Sequence, residues 1–138
     1  MGWAMTNALL DTSILVSLNQ AGETPPDLSA FDELYVSSLC YSEMRMGLST
    51  ATGDVRQMRQ DRLDEIVSLF GAGIPYDDRA ALEYGRIVRA AVAAGKSARS
   101  HAMDQMIAGV ARANGLALAT RNSADLSGLS ALVEVVEV

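Results

Sequence analysis

The sequence predicts an α/β fold: a three-layer α/β/α sandwich built on a mostly parallel sheet of about five strands. Three observations carry that prediction. Short, wholly apolar runs alternate with longer segments of helical period, a pattern that pairs strands in parallel through right-handed crossovers. The strand candidates are apolar on both sides, so helices must cover both faces of the sheet. The chain has 138 residues, 49% of them hydrophobic and 20% charged. That length suits one domain, residues 1–138, burying roughly 68–70% of its unfolded surface.

The elements follow in order. Asn7-Ala8-Leu9-Leu10 is an apolar run that ends at Asp11, and Thr12-Ser13 can cap a helix through Leu15, Val16 and Leu18. Gly22 to Asp27, with Pro25 and Pro26, is a break. Leu34-Tyr35-Val36-Ser37 reads as a second strand, and Ser38 to about Ser49 as a helix. Asp54 can cap a longer polar helix ending near Phe70, and Gly73-Ile74-Pro75-Tyr76 reads as a third strand at a sheet edge. Asp77-Asp78 begins an Ala-rich helix stopped by Gly95. Ser97 or Ser100 can cap the next one, which runs to Ala113 and closes at Asn114-Gly115. Leu116 to Thr120 and Leu132 to Val136 supply the fourth and fifth strands. Met1 to Ala4 reads as a native extension or a cloning remnant ahead of a start at Met5.

Composition excludes several classes of function. Eleven basic against 17 acidic side chains give a net charge of −6, which disfavours a protein that grips phosphate backbones by charge alone. Aromatic residues are only 5%, too few for a base-stacking platform. The single cysteine, Cys40, can form neither an internal disulfide nor a zinc site with a second thiolate, and a reducing cytoplasm fits best. No stretch approaches the roughly 20 apolar residues of a membrane span.

Ligands of open α/β sheets gather at the carboxyl ends of the strands. Asp11 directly follows the first strand candidate, and Asp125 lies five residues past Thr120. Glu43 and Asp104 interrupt helices whose neighbours should pack. Buried carboxylates are costly without partners, and a shared Mg2+ or Mn2+ ion is the simplest account of them. Each also has a bland reading: an acid after a strand for Asp11, a pair with Arg45 for Glu43, a helix-dipole charge for Asp104, a helix cap for Asp125.

Taken in order, four segments resemble one family. Leu9-Leu10-Asp11-Thr12-Ser13, Ser42-Glu43-Met44-Arg45-Met46-Gly47, Asp104-Gln105-Met106-Ile107-Ala108 and Thr120-Arg121-Asn122-Ser123-Ala124-Asp125-Leu126 look like a PIN-domain ribonuclease. Within that family the chain most resembles the VapC-type toxins of bacterial toxin–antitoxin pairs. The resemblance implies that Asp11, Glu43 and Asp104 are the three principal acids and that Asp125, helped by Asn122, fills the fourth polar position. Some relatives carry an acid where this chain has Asn122. It implies Mg2+- or Mn2+-dependent endonucleolytic cleavage of RNA, a homodimer, and silencing by a cognate antitoxin that inserts a basic residue among the acids. Thr12 would support the site by contacting Asp11 or a water on the metal. Asp11, Asp104 and Asp125 would hold the ion, Glu43 would orient the attacking water or complete the outer shell, and Arg45 and Arg121 would contact the RNA backbone or the developing charge.

Other residues carry less. His101 shares a helix face with Asp104 and could steer a water, but cleavage of this type requires no histidine. Cys40, Trp3 and the methionines at 44, 46, 103 and 106 read as core or dimer contacts, and Lys96 with Arg99 as a solvated loop. The alternative function is a non-catalytic PIN-type module that binds RNA or a protein. A phosphotransfer protein fits poorly, because Asp11-Thr12-Ser13 lacks a second Asp two positions on and the only lysine is Lys96.

Overall fold

The computed structural model describes residues 6–18 and 22–138. The expectations for Met1 to Met5, Trp3 included, fall outside them. Four strands form one parallel sheet: β1 (Asn7–Leu10), β2 (Glu33–Val36), β3 (Ala117–Thr120) and β4 (Val135–Glu137), in the order β2-β1-β3-β4. Five α-helices connect them: α1 (Thr12–Ser17), α2 (Ser38–Ser49), α3 (Gly53–Phe70), α4 (Asp78–Ala93) and α5 (Ala102–Ala113), with a 3-10 turn at Ser123–Leu126. Every residue of β3 is buried, as are Ala8, Leu9 and Leu10 of β1. Consecutive side chains point to opposite faces, so burial of all of them means that both faces are covered.

Two strands differ from the sequence expectation. Gly73 to Tyr76 contributes one parallel bridge, Ser37 to Ile74, and no strand. Ile74 donates to the Val36 carbonyl at 2.8 Å and accepts from the Ser38 amide at 3.0 Å. Pro75 then has no N–H to continue the ladder. Gly73 is required there, since a Cβ would stand 2.5 Å from the Ser38 nitrogen. The last strand starts at Val135 rather than Leu132 because Leu132 and Val133 both donate to the Leu129 carbonyl in a turn. Among the described residues the sheet therefore has four strands, not five.

Helix caps also depart from expectation in three places. Asp11, not Thr12 or Ser13, caps α1, accepting the Ser13 backbone N–H at 2.8 Å. Thr52 is the residue before α3, whose entry turns on Gly53 at φ 59, and Asp54 lies inside the first turn. His101 precedes α5 in the left-handed region (φ 55, ψ 36) with no side-chain cap, in place of Ser97 or Ser100. Ser37 and Asp77 cap α2 and α4 with their side chains.

The core is built by β1, β3 and the inward face of α5, with Leu9, Leu10, Ile107, Val110 and Leu118 fully buried. Against it α4 packs closely on α5 through Gly109, where a Cβ would meet the Ala80 carbonyl oxygen at 3.0 Å. This arrangement sets the functional edge. From β1 the chain passes to β2 on one side, while β3 pairs on the other. The strand order thus reverses beside β1, and Asp11 and Thr120 emerge at that switch point, where open α/β sheets place ligands.

Candidate active site

Asp11 is 5% exposed and its two carboxylate oxygens have separate partners. Oδ1 accepts the Ser13 amide and the Ser13 hydroxyl, while Oδ2 accepts the Thr120 hydroxyl at 2.5 Å. The Thr120 hydroxyl also accepts the Asn122 backbone N–H at 3.0 Å. Asp11 is therefore pinned between the ends of β1 and β3. Neither Ser13 nor Thr120 was singled out from the sequence, although hydroxyls flank both acidic segments. Thr12 does not hold Asp11: its hydroxyl donates to Glu43 Oε1 at 2.5 Å, tying α1 to α2.

Glu43 and Asp104 are half-buried, and both acids hold their protons more tightly than ordinary carboxyls. For Glu43 the main cause is burial, which outweighs the Thr12 hydrogen bond, and the charges of Asp104 and Asp11 add to it. For Asp104 burial again leads, followed by repulsion from Asp11, with Asp125 contributing less and His101 pulling the other way. Carboxylates from the end of β1, α2 and α5 thus repel one another, and Asp125 of the Ser123–Leu126 turn acts on Asp104. The bland alternative for Glu43, a pair with Arg45, is not what holds it.

His101 belongs to this group. Its Nδ1 lies 3.5 Å from Asp104 Oδ2 and its Nε2 lies 3.9 Å from Asp125 Oδ1. Among the described residues, His101, Asp104 and Asp125 form the one group of three potential metal ligands whose donor atoms lie within 4.8 Å of one another. That compact set has His101 where the sequence reading had Asp11. The donors are carboxylate oxygens with one imidazole, a set suited to a hard divalent cation such as Mg2+ or Mn2+. Repulsion among these acids, which the contact with His101 offsets only in part at Asp104, is the observation that fits such an ion.

The arginines expected at the site are elsewhere. Arg121 bonds Ser17 Oγ and the Thr24 carbonyl, bracing the end of α1. The guanidinium of Arg45 sits 6.0 Å from the centre of the Tyr41 ring and lines a cleft with Leu63 and Val67. Asn122 is exposed. Cys40 is buried, and burial pushes its thiol up to about 12, as befits a core residue. Met44 is core and Met103 packs against it, whereas Met46 is 64% exposed. Lys96 donates to the Asp125 carbonyl at 2.7 Å, fixing the turn that presents that acid, so it is more than a solvated loop residue. Gln105, next to Asp104, is fully buried, and among the described residues neither atom of its amide has a partner.

Comparison with known proteins agrees with this fold. The PIN domain family model matches residues 8–128. No curated protein matches the sequence. Among solved structures, the chain is similar to VapBC-5 of Mycobacterium tuberculosis, a member of the VapBC family of toxin–antitoxin systems. Identity is 27% and the TM-score 0.74, covering 96% of this chain and 99% of that one. FitAcB from Neisseria gonorrhoeae gives 27% identity and a TM-score of 0.73, with 93% and 95% covered. VapBC2 from Rickettsia felis, at 20% identity and a TM-score of 0.73 over 96% and 99%, shares the fold. No helix among the described residues is long and apolar enough to cross a membrane. The chain belongs to the PIN domain family, and within it resembles the members found in VapBC-type toxin–antitoxin systems.

Proposed function

We propose that this protein is a divalent-metal-dependent endoribonuclease, the toxin half of a toxin–antitoxin pair, held inactive by a cognate antitoxin. The observation that carries the reading is the convergence of Asp11, Glu43, Asp104 and Asp125 at the switch point of the sheet, two of them half-buried and mutually repelling. Asp11, Asp104 and Asp125 would hold Mg2+ or Mn2+, with His101 in reach of the last two. The bound ion supplies Lewis-acid charge at the scissile phosphodiester. Ser13 and Thr120 keep Asp11 in one orientation. Thr12 occupies Glu43 Oε1, which would leave Oε2 to orient the attacking water or to complete the outer shell of the ion.

The partner reading is supported by similarity to proteins from toxin–antitoxin complexes. One domain would carry the activity in the cytoplasm, as a homodimer. Exposed Met58, Leu69 and Leu82 are apolar surface for such contacts. The test is cleavage of a single-stranded RNA in Mg2+ by wild type, by Asp11→Asn and by wild type with chelator. Internal cuts by wild type alone are expected. Equal cleavage by Asp11→Asn removes the assignment, and metal binding without any cleavage moves it to the non-catalytic module.

A further inference from the structure

A cleft of about 310 Å3 opens beside the acids, at the small end of the range for ligand sites. From α1 and α2 it is lined by Thr12, Val16, Glu43 and Met44, and from α3 by Arg59 and Arg62. Glu43 is at once a member of the acidic group and a wall of this cleft, so the two are continuous. It is also the one acid on the cleft's lining. Arg59 and Arg62 are three apart on α3 and share a face. Arg59 is held in place, Nη1 donating to the Gly47 carbonyl at 2.7 Å. That bond uses one of the five N–H donors of the guanidinium.

In a protein of net charge −6 these two arginines are cations facing a cleft that leads to the proposed reaction centre. We infer that Arg59 and Arg62 bind a non-reacting phosphate of the RNA strand, the one adjoining the phosphodiester placed at Glu43 and Asp104. Guanidinium forks match phosphate oxygens, and the Val16–Met44 wall offers an apolar surface for the intervening nucleoside. An acidic cluster that repels RNA over most of its approach gains from a fixed cationic subsite at this one place. This role was assigned from the sequence to Arg45 and Arg121, which the fold engages elsewhere. The inference rests on the ribonuclease reading and names how that site holds its substrate.

The experiment measures affinity, not turnover. Binding of a fluorescent single-stranded oligoribonucleotide is followed in the Asp11→Asn background, with Mg2+, across a salt series. Arg62→Gln and Arg59→Gln are compared with Arg86→Gln, an arginine paired with Glu83 on α4. Arg59 braces α2, so thermal melts accompany each variant and Arg62→Gln carries the conclusion if Arg59→Gln unfolds. Each cleft variant is expected to weaken binding about tenfold and to flatten the slope of log K against log salt by about 0.7, one single-strand phosphate contact. Arg86→Gln should match the parent. Identical affinity and slope in folded Arg62→Gln overturn the subsite while leaving the nuclease reading intact. That result would give the cleft to a peptide partner instead. Cleft variants that show the expected loss and slope change, in a protein whose wild type never cleaves, would instead overturn the nuclease reading and leave the subsite standing.

Discussion

Glu83 and Glu43 are both half-buried helical glutamates in the same small protein, and their surroundings are opposite. Glu83 accepts from Arg86 at 2.8 Å and from Arg112 at 2.5 Å, one guanidinium to each carboxylate oxygen. Arg112 goes on to the Leu132 carbonyl at 2.6 Å, so the pair joins α4, α5 and the approach to β4. Glu43 has a hydroxyl from Thr12 and, around it, the charges of Asp104 and Asp11. In the first region charge is matched inside the chain and serves the fold. In the second, no guanidinium is bonded to Glu43 among the described residues, and repulsion between neighbouring acids costs stability. Perturbed acids of this kind concentrate at functional sites, because the missing partner arrives with the ligand.

The contrast can be broken by substitution, with opposite signs in the two regions. Removing Arg112 by Arg112→Ala should cost about 2 kcal/mol, the range for lost hydrogen bonds to a charged group, and chemical denaturation reads it directly. A smaller gain is expected from Gln105→Met. The Gln105 amide is buried without partners among the described residues, and an apolar side chain of similar shape relieves that burden by about 1 kcal/mol. Loss of stability on this change would show that the amide is bonded after all.

The smallest effect is also the most diagnostic. Asp104→Asn should stabilise the metal-free protein at neutral pH by a fraction of about 1 kcal/mol, because its side chain is 34% exposed and solvent screens the repulsion. The sign follows from the raised acids. Below the ordinary value of 3.8 for Asp104, folded and unfolded chains are both protonated there and no penalty exists. As pH rises, the unfolded chain releases its proton first, so stability falls until the higher folded value is passed. Glu43, ordinarily 4.5, behaves alike. The advantage of Asp104→Asn should thus be absent at low pH and grow on the way to neutrality. Melts of both proteins across that range check it.

How much of this was legible in the sequence follows the same division. β1, β2, β3 and the extents of α2, α4 and α5 could be read because their signals are local: apolar runs, an acidic start at Asp77-Asp78, a stop at Gly95 or Asn114-Gly115; Ser37, read as the end of a strand, instead caps α2. The strand expected at Gly73 to Tyr76 failed because strand extent depends on a partner's ladder, and Pro75 ends it after one bridge. The four acids stood out because Asp11 and Asp125 follow strand candidates and Glu43 and Asp104 interrupt segments that should pack. Their supports did not. Thr120 reaches Asp11 across 109 positions, and Arg59 lines the cleft with Glu43 only because α3 folds back on α2. Arg45, adjacent in sequence to the acidic segment, turns to Tyr41 instead. Proximity in sequence misled on the cations, because helical geometry sends residues two apart to different faces.

The central claim is that the unmatched acids await a divalent cation, and thermal unfolding with and without Mn2+ tests it most directly. At a hundred times its Kd the ion should raise the stability of the wild type by about 2.7 kcal/mol, and Asp104→Asn should lose most of that gain while remaining the more stable of the two in chelator. Equal melting of the wild type in Mn2+ and in chelator, or an equal rise in Asp104→Asn, would contradict the account.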